Sequence, residues 1–156
     1  MKTKLNNLSF FLVLFFFLGG CDKEDLIDNL PSMTAEIDGI EWKSVTRITK
    51  MEDEAIVITG TSLSGEIILI TVFGSSEGIY ELSILPVKTQ CSAVYKQSAN
   101  TSIEDVYISS RGYIEIVEIT EENKISGIFE FSVIKDLSGE KIEITNGRFK
   151  NLLFLN

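Results

Sequence analysis

Lys124-Ile125-Ser126-Gly127-Ile128-Phe129-Glu130-Phe131-Ser132-Val133-Ile134 decides the fold of this 156-residue chain. Ile125, Gly127, Phe129, Phe131 and Val133 fall on alternate positions, with Glu130 and Ser132 between them. Successive side chains of an extended backbone point to opposite faces, so this is the period of a half-buried strand. Outward from it the same reading continues. Residues 106–108 and 113–120 flank Ser109-Ser110-Arg111-Gly112, which predicts a hairpin. Residues 141–145 and 148–154 flank Asn146-Gly147, a pair that accepts the positive φ of a two-residue turn and predicts another.

Towards the N-terminus, residues 33–37 and 42–45 flank Asp38-Gly39, and residues 55–61 and 66–73 flank a turn at 62–65. Ile67-Ile68-Leu69-Ile70-Thr71-Val72-Phe73 is apolar at nearly every position, which predicts a central strand covered on both faces. Residues 79–82 and 92–95 are short strands on either side of Pro86. No stretch after residue 33 carries helical periodicity. The expectation is an all-β domain, an antiparallel meander of about ten strands closed as a β-sandwich or a flattened up-and-down barrel.

The first twenty residues read differently. Lys2 and Lys4 precede the apolar run at residues 10–18, and Gly19 and Gly20 precede Cys21. This is the three-part layout of an export signal. The apolar run is too short for a spanning helix, which needs about 20 residues. Small residues directly before a Cys, with Leu18 three positions upstream, suit a lipoprotein signal peptidase that cuts between Gly20 and Cys21 after the thiol has taken a diacylglyceryl group. Residues 21–32 then form a lipidated, acidic tether that spans at most ~36 Å, and residues 33–156 form the single β domain. Two or three acyl chains hold a protein to a membrane durably where one does not.

Removing the leader discards half of the ten Phe residues and leaves one ordinary domain's length. The formal charge is −9, and losing Lys2 and Lys4 makes the remainder more acidic. With its cations scattered singly, the chain lacks the basic face that binding to nucleic acid requires.

Asp22-Lys23-Glu24-Asp25 resembles the surface-export signal of Bacteroidota lipoproteins, in which Lys and two acids follow the modified Cys. Lys23, Glu24 and Asp25 are the matching residues, and the resemblance implies an outer-membrane protein facing the cell exterior. The stretches 33–39 with Trp42, 112–116, 124–131 and 144–149 resemble an uncharacterised Bacteroidota lipoprotein family whose members carry one β domain behind a lipidated Cys. That family brings no assigned activity.

The chain contains no His, so His-based triads, dyads and metal sites are excluded. Cys91 is the one thiol left once Cys21 is acylated, and it reads as a buried, inert side chain. The acids cluster at residues 52–54, at Glu115 with Glu118, and at Glu121-Glu122. Glu115 and Glu118 are three apart and are expected on opposite faces of their strand, and no cluster has the spacing of a Ca²⁺ loop. Trp42, Tyr80, Tyr95, Tyr107 and Tyr113 are candidates for a sugar-stacking platform. The expected function is non-enzymatic, without metal or cofactor: a membrane-anchored domain that binds a protein, a glycan or a small molecule, or serves a structural role. A lipocalin-like carrier of an apolar ligand and a carboxylate-based hydrolase are the alternatives.

Overall fold

The computed structural model describes residues 29–83, 90–98, 105–135 and 138–155. The leader, Cys21 and Lys23-Glu24-Asp25 lie outside them. Nine strands follow one another: β1 (Ser32–Ile37), β2 (Ile40–Glu52), β3 (Ala55–Ser62), β4 (Ile67–Phe73), β5 (Gly78–Glu81), β6 (Ser92–Lys96), β7 (Val106–Ile119), β8 (Lys124–Ile134) and β9 (Lys141–Leu155). Eight of them form a closed ring in the order β1–β2–β3–β4–β6–β7–β8–β9, and the antiparallel pairing of β1 with β9 seals it. The all-β meander therefore closes as a barrel, not as a sandwich.

β5 is the ninth strand and lies at the sheet's edge. It pairs with residues 113–116 of β7, while β6 pairs with residues 106–108 of the same strand. β5 and β6 run in one direction along β7, so together they make a single interrupted stave. The Leu82 amide still reaches the Gly112 carbonyl at 2.9 Å, and the Ser83 amide closes onto the Cys91 carbonyl at 3.1 Å.

One rim of the barrel carries the turns after β1, β3, β6 and β8; the other carries the turns after β2, β4 and β7, the start of β1 and the end of β9. We call these the far and near rims. At the near rim β2 and β9 run past the start of β1 and pair with each other in parallel, Thr49 beside Phe154 and Lys50 beside Leu155.

Alternate residues of every stave point inward and form one apolar core. It includes Met33, Ile56, Ile58, Ile68, Ile70, Ile114, Ile116 and Ile125, all essentially inaccessible to solvent. Among the described residues, the ladder and the core lie within residues 32–155. The run Ile67–Phe73 is not covered on both faces. Ile68, Ile70 and Val72 are buried while the residues between them are half-exposed, because the second face of a barrel wall is its outside.

The two expected hairpins at residues 109–112 and 146–147 are absent, since β7 and β9 each run straight through them. Both sites are bulges, with register shifts between Ser109 and Arg111 against β8 and between Phe129 and Phe131 against β9. What stands opposite explains them. Gly112 pairs with Phe131, Gly147 with Phe129 and Gly127 with Phe149, each glycine facing a phenylalanine on the neighbouring strand.

The Phe129 ring stacks on Phe131 at 5.6 Å and on Phe149 at 6.4 Å between centroids. A Cβ on any of these glycines would strike the opposing Phe and a backbone carbonyl. The glycines thus let three rings lie flat against the inner wall and let the strands bend enough to close the ring. Gly112 also uses its freedom directly, with φ at 134°.

Candidate functional site on the outer wall

The five aromatics that were candidates for a stacking platform do not come together. Trp42, Tyr95 and Tyr107 are core residues with 3%, 2% and 1% of their surface exposed. The reason is strand phase: Trp42 is in step with Ser44, Tyr95 with Ala93 and Tyr107 with Ser109, all inward positions. Tyr80 is half-buried on β5, its hydroxyl donating to the Ser76 carbonyl at 2.8 Å. Tyr113 lines a depression in the wall.

Three depressions lie side by side over β7, β8 and β9, with volumes of about 300, 260 and 310 Å³. The first is lined by Thr34, Tyr113, Ile128, Glu130, Asn146 and Arg148. The second shares Tyr113 and Glu130 and adds Arg111, Ser132 and Glu143; the third shares Ile128 and Arg148 and adds Val117, Glu118 and Lys150. Their floors are Gly147 with Phe129, Gly112 with Phe131, and Gly127 with Phe149. Each depression follows one glycine–phenylalanine pair, where the register shifts and the wall bends. Apart from Tyr113 and Glu118, these lining residues escaped the sequence reading, although the recurring Gly on the three successive strands β7, β8 and β9 was the available sign.

At the end nearer the far rim, Glu143 organises the polar side chains. It takes the Ser132 hydroxyl at 2.6 Å, pairs with Lys141, and has Arg111 at 3.9 Å. Its hydrogen bonds with Lys141 and Ser132 hold its carboxyl below the usual carboxylate range. Arg148 makes no ion pair among the described residues.

The far rim is closed by two tyrosines. Tyr95 donates to Glu66 Oε1 at 2.8 Å, and Glu66 Oε2 takes the Ser64 hydroxyl at 2.6 Å. Tyr107 packs 5.9 Å from Tyr95 and under the Lys135 ammonium, 5.6 Å from its ring. Burial first, and then the Glu66 carboxylate, push the Tyr95 phenol above its ordinary value; burial and Glu140 do the same for Tyr107.

Glu115 and Glu118 do share a face. The bulge between Ile116 and Glu118 returns both to the outside, opposite Ile128 and Ser126, which corrects the expectation of opposite faces. The acids at 52–54 and 121–122 are exposed at near-rim turns, and no group of three or more potential metal ligands occurs among the described residues. Cys91 is buried and accepts the Phe73 amide at 3.3 Å; burial pushes its thiol up. The barrel interior, where a carried ligand would sit, is filled by Phe129, Phe131, Phe149, Trp42 and the isoleucines. Among the described residues, the packed interior gives no support to the lipocalin-like alternative.

No curated protein and no solved structure matches the chain. A family model described as Domain of unknown function (DUF6252) matches residues 29–152, which takes in all of β1 to β8 and β9 as far as Leu152, and the chain belongs to that family.

Proposed function

We propose that the chain is a lipid-anchored envelope protein, exported by residues 1–20, acylated at Cys21 and carried on the outer membrane of a Gram-negative cell. Its barrel is a non-catalytic domain that meets a protein, a glycan or a small molecule on the outside of its wall. The observation that carries this reading is the division of the chain. The family match begins at residue 29 and β1 at Ser32, so a spacer of a few residues separates Cys21 from a barrel complete in itself. The filled interior favours contact through the wall, where the depressions around Tyr113 and Arg148 offer apolar, cationic and acidic groups together. The absence of His from the sequence and the placement of the acids at 52–54 and 121–122 at turns support a binding role over catalysis.

Labelling of cells with an alkyne fatty acid tests the anchor. The parent protein takes the label and fractionates with membranes, whereas Cys21→Ala takes none, because the other cysteine, Cys91, is buried and lies in no cleavage motif. Label retained on the variant refutes the anchored reading.

A further inference from the structure

We infer that the wall made by β2, β1 and β9 rests on an anionic lipid bilayer, so that the barrel lies on its side on the membrane. The choice of occupant rests on the anchored reading above. The chain has 23 Asp and Glu, yet residues 32–35, 43–51 and 144–155, which make most of this wall, contain none. The same stretches hold Lys43, Arg47, Lys50, Arg148 and Lys150.

Register gathers three of these cations around the start of β1, while Arg47 donates to the Ser44 carbonyl at 2.9 Å. Thr34 lies between Lys43 and Arg148, and Ser32 beside Lys150. Apolar side chains are interleaved with them on the outside. Leu153 stands 53% exposed and Leu155 54%, with Ile48 and Val45 also exposed on β2. Lys50 is the cross-strand neighbour of Leu155, and Lys124 of Leu153. Lys50 and Lys124 also reach Glu52 and Glu122 at the rim, whereas Lys43 and Arg148 make no ion pair among the described residues. A surface that alternates exposed leucine with lysine suits the boundary between lipid headgroups and acyl chains, where the apolar groups enter and the cations meet phosphate.

The tether points to the same occupant. Leu30, 62% exposed, leads into Ser32 at this wall. Ser32 lies eleven positions after Cys21, a reach of at most ~36 Å, so an anchored barrel is held close to lipid with this wall nearest its attachment. Basic and apolar groups on the side from which the tether leaves would add contacts to the acyl chains instead of competing with them.

The test uses unacylated protein comprising residues 22–156, sedimented with vesicles of phosphatidylethanolamine and phosphatidylglycerol or of phosphatidylcholine alone. Binding is expected on the anionic vesicles and should weaken with salt. Each cation removed should cost about five-fold, so Lys43→Gln, Arg148→Gln and Lys150→Gln together reduce partitioning by roughly 100-fold. The pair Leu153→Ser and Leu155→Ser should reduce it at low salt as well. Lys96→Gln, Lys135→Gln and Lys141→Gln, near the far rim, should leave it unchanged, and circular dichroism checks that each variant is folded.

Equal partitioning to both vesicle types, or equal loss in the far-rim triple, overturns the inference. So does a dimer in solution that the Leu153→Ser, Leu155→Ser pair dissociates, which would make a second copy the occupant. Because this protein carries no acyl chain, its result is independent of the Cys21 labelling.

Discussion

At the residue scale, the barrel depends on side chains that are missing as much as on those present. A methyl on Gly127 would meet the Glu115 carbonyl and the Phe149 ring, and neither can move far, since one is backbone and the other is stacked on Phe129. Gly127→Ala should therefore lower stability by ~1–3 kcal/mol, read as a shift in the urea midpoint. A loss below about 0.5 kcal/mol would show that the ring gives way freely. The opposite change, Phe131→Ala, removes a buried ring and leaves a cavity, with an expected cost of about 3–5 kcal/mol.

Tyr95 sets a limit at high pH. Its phenol is raised in the folded state by burial and by Glu66. Below about pH 10 both the folded and unfolded chains keep the proton, and its contribution to stability is complete. As pH rises through 10 towards the folded value, the unfolded chain releases the proton first, so stability falls by up to ~1.4 kcal/mol per pH unit for each such group. Thermal melts between pH 8 and 11 should show that decline in the parent and a shallower one in Tyr95→Phe. Identical slopes would mean that the phenol titrates freely.

At the scale of elements, the clasp of β2 and β9 over the start of β1 is what holds the near rim closed. Ending the chain at Leu152 removes the parallel pairing at Thr49 and Lys50 without touching the ladder between β1 and β9. Amide exchange at residues 48–51 should then accelerate while the inward residues of β3 and β4 keep their protection. Uniform acceleration would show that the clasp is part of the global unfolding unit.

The strands themselves were legible from alternation, and β8 most clearly, because Glu130 breaks a run of apolar residues at the right phase. The two false hairpins show where a local reading stops. A glycine with an unusual backbone serves a turn or a bulge equally well, and the deciding residues, Phe131 for Gly112 and Phe129 for Gly147, lie about twenty positions away. Trp42 and Tyr107 were misplaced for a related reason. Their inward neighbours two positions on are Ser44 and Ser109, buried hydroxyls bonded to the Met33 carbonyl and the Ala93 amide, so polarity gave no hint of which face was inside. The depressions around Arg148 depend on the bending of three strands at once and left no contiguous motif to find.

For the whole molecule, the proposed anchor makes the residues after Cys21 testable apart from the barrel. If Lys23, Glu24 and Asp25 direct export to the cell surface, protease added to intact cells removes the barrel, since a cuttable segment joins it to the lipid. Replacing those three residues with Ala should give an acylated protein that the protease no longer reaches. Equal cleavage of parent and variant would reduce the three residues to a plain spacer. The barrel should fold identically in both, because its sealing contact, β1 on β9, begins only at Ser32.

On the anchored reading, the seal also bears on how copies of the chain behave when crowded. Proteins held on a surface meet their neighbours constantly, and sheet edges that are left open recruit one another into aggregates. Here the ring consumes its own edges, and the strand left at the sheet's margin is β5, four residues long, opening on Gly78 and bracketed by Glu77 and Glu81. It is too short and too negatively charged to template another chain, so copies crowded side by side can jostle without knitting together.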